Sequence, residues 1–360
     1  MKTVVCFGEI MARLSPRARL RLQQAMPGEL EVTFAGAEAN VAVILAQLGA
    51  RADFVSAFPR NAVAEACAAN LRATGVGVER LRWLDHGRFG VFFLEPGSSQ
   101  RSGEVLYDRD GTSFAVAGPA DYPWETIFRD AGWFHYSGIA AGVSAVAAEA
   151  TRAAVAGARA AGLTVSCDLN FRRKLWQWQP GTPAPQLFAA TMAPLLESAE
   201  LLVGNACDLA AVLGETFVTD AGDPESHRPL LRRCAERFPR LRWIALTLRQ
   251  TRSADHHAFG ALLYLPAEDR LVFAPRAGDG ARYAPYEIGQ IVDRLGTGDA
   301  FTGALIFALN TPELAAPDHA VAFASAASCF AHTVHGDFCL CRRTEIESLM
   351  NGNTGGHVSR

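Results

Sequence analysis

The chain has 360 residues and a formal net charge of −3, and 49% of its residues are apolar. That is enough for the core of one large α/β unit, and the near-balanced charge excludes a nucleic-acid track, Arg172-Arg173-Lys174 being the densest basic cluster. No stretch reads as a signal peptide or a membrane span: residues 4–8 are cut off by Glu9, and the alanine-rich residues 140–162 carry Glu149, Arg152 and Arg159. A cytoplasmic protein is expected, with its eight scattered cysteines as reduced thiols; Cys339 and Cys341 lack the second pair that a zinc site needs.

Residues 3–7 read as a buried strand ending at Gly8-Glu9. Residues 11–34 mix short apolar pieces with arginines and prolines. A helix is predicted from Val41 through Leu48, closed by Gly49, then a strand over 52–57 and a helix over 62–73. Over 81–114 the texture changes to short apolar runs at 83–84, 91–94 and 105–107, separated by glycine, serine and charge. These predict a small antiparallel sheet that joins residues 11–35 as a lid, its exposed apolar face around residues 91–94 suited to a homo-oligomer contact. Strand and helix then alternate: strands over 133–137, 164–169, 201–204 and 243–248, and helices over 144–161, 186–198 and 229–238. A hairpin over 259–265 and 271–273 follows, then helices over 299–309, 318–333 and 343–350, with residues 351–360 as a frayed tail. The alternation predicts a mostly parallel sheet sandwiched by helices, Rossmann-like, with ligands beyond the carboxyl ends of its strands.

Residues 291–301 concentrate the chemistry. An apolar strand is expected to lead into Gly296-Thr297-Gly298-Asp299, with both glycines free to take positive φ and a helix starting at the second. Such a helix start aims unpaired N–H groups and a positive dipole end at one point, and Asp299 stands beside it with its charge favoured. Amides that hold a moving phosphate, next to a carboxylate that takes a hydroxyl proton, suit phosphoryl transfer. Alone, Gly-x-Gly-Asp fits a plain helix cap better. Likewise His256-His257, and His332 and His335 with Asp337, read as solvated rather than metal-binding, and the aromatic clusters at 92–93 and 176–178 as core or lid packing.

The order and spacing of further pieces favour the phosphate reading. Phe7-Gly8-Glu9-Ile10-Met11, Gly36-Ala37-Glu38-Ala39-Asn40, Tyr107-Asp108-Arg109, Cys167-Asp168-Leu169-Asn170-Phe171-Arg172, Thr247-Leu248-Arg249 and the Asp299 turn occur in one succession. Together they resemble the pfkB, or ribokinase-like, sugar kinases over almost the whole chain, and within them the 2-keto-3-deoxygluconate kinases. The resemblance implies one ribokinase-like domain over residues 1–360, with a lid from about 11–35 and 81–115. It implies Asp299 as catalytic base, with amides of Gly296, Thr297 and Gly298 as anion hole. Gly36, Asn40, Phe92, Tyr107, Arg109, Ile139 and Arg172 would bind the sugar acid, the two arginines gripping its carboxylate with forked hydrogen bonds. Asn170, Asn205, Thr247 and Arg249 would bind ATP, with helix 318–333 and the Gly336 turn bordering the adenine, and Asp208 would act on Mg2+ through water.

Some positions depart from the family pattern. Asp208 is one methylene shorter than the usual glutamate, and Ala206, Thr297, Phe92 and Cys339 stand where an acidic residue, an alanine, a tyrosine and an asparagine are common. The expected activity is ATP-dependent phosphorylation of 2-keto-3-deoxygluconate at its terminal hydroxyl. The alternatives are a fructokinase, a kinase for the galactonate epimer, or a catalytically silent sugar-acid sensor.

Overall fold

The computed structural model describes residues 2–277 and 282–353; residues 354–360 of the expected tail lie outside them. The main sheet runs, from one edge, Arg270–Ala274, His256–Leu265, Trp243–Ser253, Leu201–Gly204, Thr164–Asp168, Ala131–Ser137, Thr3–Phe7 and Ala52–Val55, with Tyr286–Ile288 also pairing His256–Leu265. From Ala52–Val55 across to Trp243–Ser253 every pairing is parallel. The hairpin edge is antiparallel.

Strict alternation sends successive side chains of these strands to opposite faces. Val4 and Cys6 enter the core formed with helices Ala37–Gln47, Ala62–Ala73, Thr297–Leu309 and Pro317–Ala331. Val5 and Phe7 enter the opposite core, formed with Ala145–Ala160, Ala184–Leu196, Ala206–Leu213 and Arg228–Arg237. Burial on both faces explains why the strands read as continuous apolar runs. All eight cysteines are free thiols. Among the described residues, no helix is long and apolar enough to cross a membrane.

The second sheet is small: Glu31–Ala35, Met11–Ser15, Gly90–Glu95 and Glu104–Asp108, in that order. It departs from the sequence expectation in three ways. Its centre is parallel, Met11–Ser15 lying beside Gly90–Glu95, because the two strands reach it from separate excursions rather than through one hairpin. Arg82–Leu84 pairs instead with Ala57–Pro59 and belongs to the main body. Residues 91–94 are not its exposed face: Phe92 and Leu94 are buried with Met11 and Ala35, and the exposed apolar side chains are Val32, Leu106 and Tyr107.

Segment 291–296 is not a strand either. Its backbone bonds reach loops, Ile291 N–H to Asp255 and Val292 N–H to His332, so no ladder forms. The helix behind it, Thr297–Leu309, crosses Ala37–Gln47 at Gly303, where a Cβ would press into Ile44 and stand 3.0 Å from the Val41 carbonyl oxygen. Gly303→Ala is expected to cost about 1–3 kcal/mol by overpacking, read as a lower urea midpoint at unchanged slope.

Candidate active site

At the carboxyl ends of the parallel strands, under the small sheet, lies a cavity of about 640 Å³. Every site residue expected from the sequence lines it, from Gly36 and Asn40 at one end to Thr247 and Arg249 at the other. Of the segments expected to border an adenine, the Gly336 turn contributes Asp337 to this lining, whereas no residue of Pro317–Ala331 does; that helix packs behind the turn, Ser328 Oγ donating to the Thr297 carbonyl at 2.8 Å.

The turn is built from one left-handed residue. Gly296, at φ 78 and ψ −9, is the N-cap of Thr297–Leu309, and its carbonyl accepts the Ala300 N–H at 2.8 Å. Gly298, in contrast, has no positive φ. Its role is spatial: a Cβ there would meet nothing within 4 Å, so the backbone faces open cavity. Thr297, Gly298 and Asp299 are the first helical residues, so their N–H groups have no carbonyl one turn earlier.

Asp299 is 8% exposed, and its Oδ2 accepts a hydrogen bond from Asn40 Nδ2 at 2.6 Å. Burial raises its pKa to about 6, against the opposing pull of the Asn40 hydrogen bond and the Arg172 charge. Burial thus works against the charge that the helix mouth was expected to favour, while a value of about 6 still leaves Asp299 ionised at neutral pH. Asn40 is itself held, its Oδ1 accepting the Gly36 N–H at 3.4 Å, so its amide is aimed at the carboxylate. A second carboxylate, Asp168, to which the sequence reading gave no role, lines the same cavity and accepts from Asn170 N–H at 3.1 Å and from the Thr302 hydroxyl at 3.3 Å. Burial, then the nearby Asp299 and Asp208, push Asp168 well above the usual carboxylate range. The signal was present in Cys-Asp-Leu-Asn at a strand end.

Phe92 and Tyr107 come down from the small sheet, Ile139 from below. Arg109 differs from expectation: its strand ends at Asp108, and its guanidinium is ion-paired with Glu9 and lies 5.4 Å from the Tyr107 ring centre. Glu9 also accepts the Thr112 hydroxyl, while Arg109 Nε is buried without a partner. Arg172, Arg249 and Arg294 line the cavity with no carboxylate in ion-pair reach among the described residues. Three unpaired guanidiniums in one cleft make a strong anion site.

At that end Asn205 caps Ala206–Leu213, accepting the Asp208 N–H at 3.0 Å and donating to Asp208 Oδ2 at 2.9 Å. Asn170 holds a left-handed φ of 37. Thr247 is not at a strand end, because pairing with His256–Leu265 extends Trp243 to Ser253. His257 and His332 are buried rather than solvated, at 1% and 0% exposure, and burial holds both neutral at about 4. Among the described residues, no three His, Cys, Asp or Glu side chains converge as metal ligands.

A helix mouth with open amides, a buried carboxylate within hydrogen-bond reach of an oriented amide, and a cluster of free arginines define an α/β phosphotransferase of ribokinase-like fold. The model of the pfkB family of carbohydrate kinases matches residues 1–244. The chain is similar over 98% of its length to 2-dehydro-3-deoxygluconokinase of Thermotoga maritima, whose structure superposes with a TM-score of 0.88 at 35% identity and is covered over 100%. It is 31% identical over 353 residues, 98% of each chain, to 2-dehydro-3-deoxygalactonokinase of Haloferax volcanii. It is also 31% identical over 173 residues, 48% of this chain and 52% of the other, to 2-dehydro-3-deoxygluconokinase of Bacillus subtilis. The chain belongs to the pfkB family of carbohydrate kinases. The family model stops short of the Asp299 turn, and the full-length relatives carry the similarity across it.

With Asp299 acting as the ionised base, kcat/KM is expected to fall as pH drops through about 6. Asn40→Ala removes a hydrogen bond that favours the ionised form, so this acid limb should move up by about 1 unit. A pH–rate profile whose limb stays in place would contradict the assignment.

Proposed function

We propose that the protein transfers the γ-phosphoryl group of ATP to the terminal hydroxyl of 2-keto-3-deoxygluconate, giving the 6-phosphate. The single observation that carries the reading is the unpaired arginine set, Arg172, Arg249 and Arg294, lining one cavity with the Asp299 turn. Guanidiniums left outside any ion pair in a cleft are suited to a polyphosphate at one end and a carboxylate at the other.

Asp299 accepts the proton of the attacking hydroxyl, and the amides of Gly296, Thr297 and Gly298 hold the transferring phosphoryl oxygens. Asn40 keeps the base oriented and has a second amide hydrogen for a sugar hydroxyl. Arg172 takes the sugar carboxylate, while Arg109, buried beside Glu9 with Nε unpartnered, adds a donor from the roof. Gly36 permits close backbone approach, and Phe92, Tyr107 and Ile139 wall the sugar. Asn170, Asn205, Thr247 and Arg249 face the nucleotide. Mg2+, when bound, supplies charge neutralisation between the phosphates, with Asp208 as a partner through water.

In this reading residues 1–360 form one kinase domain whose small sheet, from about 11–35 and 81–115, closes over the sugar and excludes water. Val32 and Leu106, exposed on the outer face of that sheet, suit a homo-oligomer contact. Similarity to the Haloferax volcanii galactonokinase over the full length favours the galactonate epimer as the second reading.

A coupled ADP-release assay with a panel of sugar acids and neutral sugars tests this. The expected result is turnover with 2-keto-3-deoxygluconate and little with fructose or ribose. Equal turnover of neutral sugars would remove the carboxylate argument, and none at all would favour a silent sensor. Asp299→Asn should lower kcat by about 10²–10⁴ with sugar KM nearly unchanged.

A further inference from the structure

We propose that Arg13 is a positioning residue for phosphoryl transfer, a guanidinium that fixes the anion-hole turn from the small sheet. Arg13 lies on Met11–Ser15, the strand second from one edge of that sheet, and is 3% exposed. Its Nη2 donates to Asp293 Oδ2 and its Nη1 to Asp337 Oδ1, each at 2.5 Å. The two carboxylates come from segments flanking the turn on either side. Asp293 Oδ1 accepts the N–H groups of Arg294 at 2.8 Å and Leu295 at 3.2 Å, and its Oδ2 accepts that of Gly336 at 3.3 Å. The backbone of Asp337 lies against Gly296 so closely that a Cβ there would overlap its carbonyl oxygen. One cation therefore sets, through two carboxylates, the backbone on both sides of the left-handed glycine from which the anion-hole amides begin.

A bare structural tie between sheet and loop is the competing reading. A hydrophobic contact would serve that purpose at lower desolvation cost than two carboxylates sharing one guanidinium. The bonds also run to the backbone immediately before the amides rather than to an arbitrary surface of the turn, and amide placement is what stabilises charge developing in the transition state. The inference rests on the phosphoryl-transfer reading of the site but not on which sugar is the substrate.

The test measures kcat and sugar KM for Arg13→Met and Arg13→Lys with whichever sugar the wild type phosphorylates. Arg13→Met is expected to lose about 100-fold in kcat, the effect of misplacing an oxyanion donor, with KM within about threefold. Added guanidinium chloride at low millimolar concentration should restore part of that kcat, and Arg13→Lys should lie between wild type and Arg13→Met. If Arg13→Met does not fold, the charge-free triple variant Arg13→Met/Asp293→Asn/Asp337→Asn takes its place, expected to fold and show the same kcat loss without guanidinium rescue. A folded variant of either kind with kcat within threefold of wild type overturns the proposal, as does a loss confined to KM. A wild-type protein that binds neither ADP nor a non-hydrolysable ATP analogue overturns the phosphoryl-transfer reading and this proposal with it.

Discussion

The structure depends on how charge is kept at the carboxyl end of a sheet buried on both faces. Asp168, Asp208 and Asp299 line one cavity there, and burial raises the pKa of each. A buried carboxylate persists only with compensation, and here it comes from several sources at once: the Asn40 amide, the Asn205 amide, the Thr302 hydroxyl and the field of Arg172. The same cavity carries Arg249 and Arg294, neither in an ion pair among the described residues.

The glycine-spaced turn works because its two glycines do different things. Gly296 supplies a backbone conformation that side chains resist and lets the Asp337 backbone come into contact; Gly298 leaves the cavity open above the helix start. A pattern of two glycines and an aspartate does not distinguish these duties. Only the left-handed angle at one and the empty space at the other separate them.

Much of the scaffold was legible in the sequence. The helix over 343–350 and the strand over 3–7 match Arg343–Met350 and Thr3–Phe7, since apolar periodicity reports burial directly. Several site residues, Gly36, Asn170, Asn205 and Gly296 among them, were legible as short motifs because they lie at element ends, where turn chemistry leaves a signature. Pairings across the chain were not. Arg13 meets partners 280 and 324 residues away, and no local pattern announces that. Nor did the sequence reveal the parallel centre of the small sheet, the Glu9–Arg109 pair, or the burial of His257 and His332, all of which are set by tertiary packing. The burial of Asp299 was hidden for the same reason: the helix mouth is local and visible, the desolvation is not.

Of the eight free thiols, six are buried and Cys329 is half-buried, leaving Cys207 alone exposed, between Asn205 and Asp208 at the start of their helix. The native chain thus carries a single addressable attachment point beside the Asn205–Asp208 end of the cavity. A maleimide-linked fluorophore can be placed there without any cysteine having to be engineered in or away.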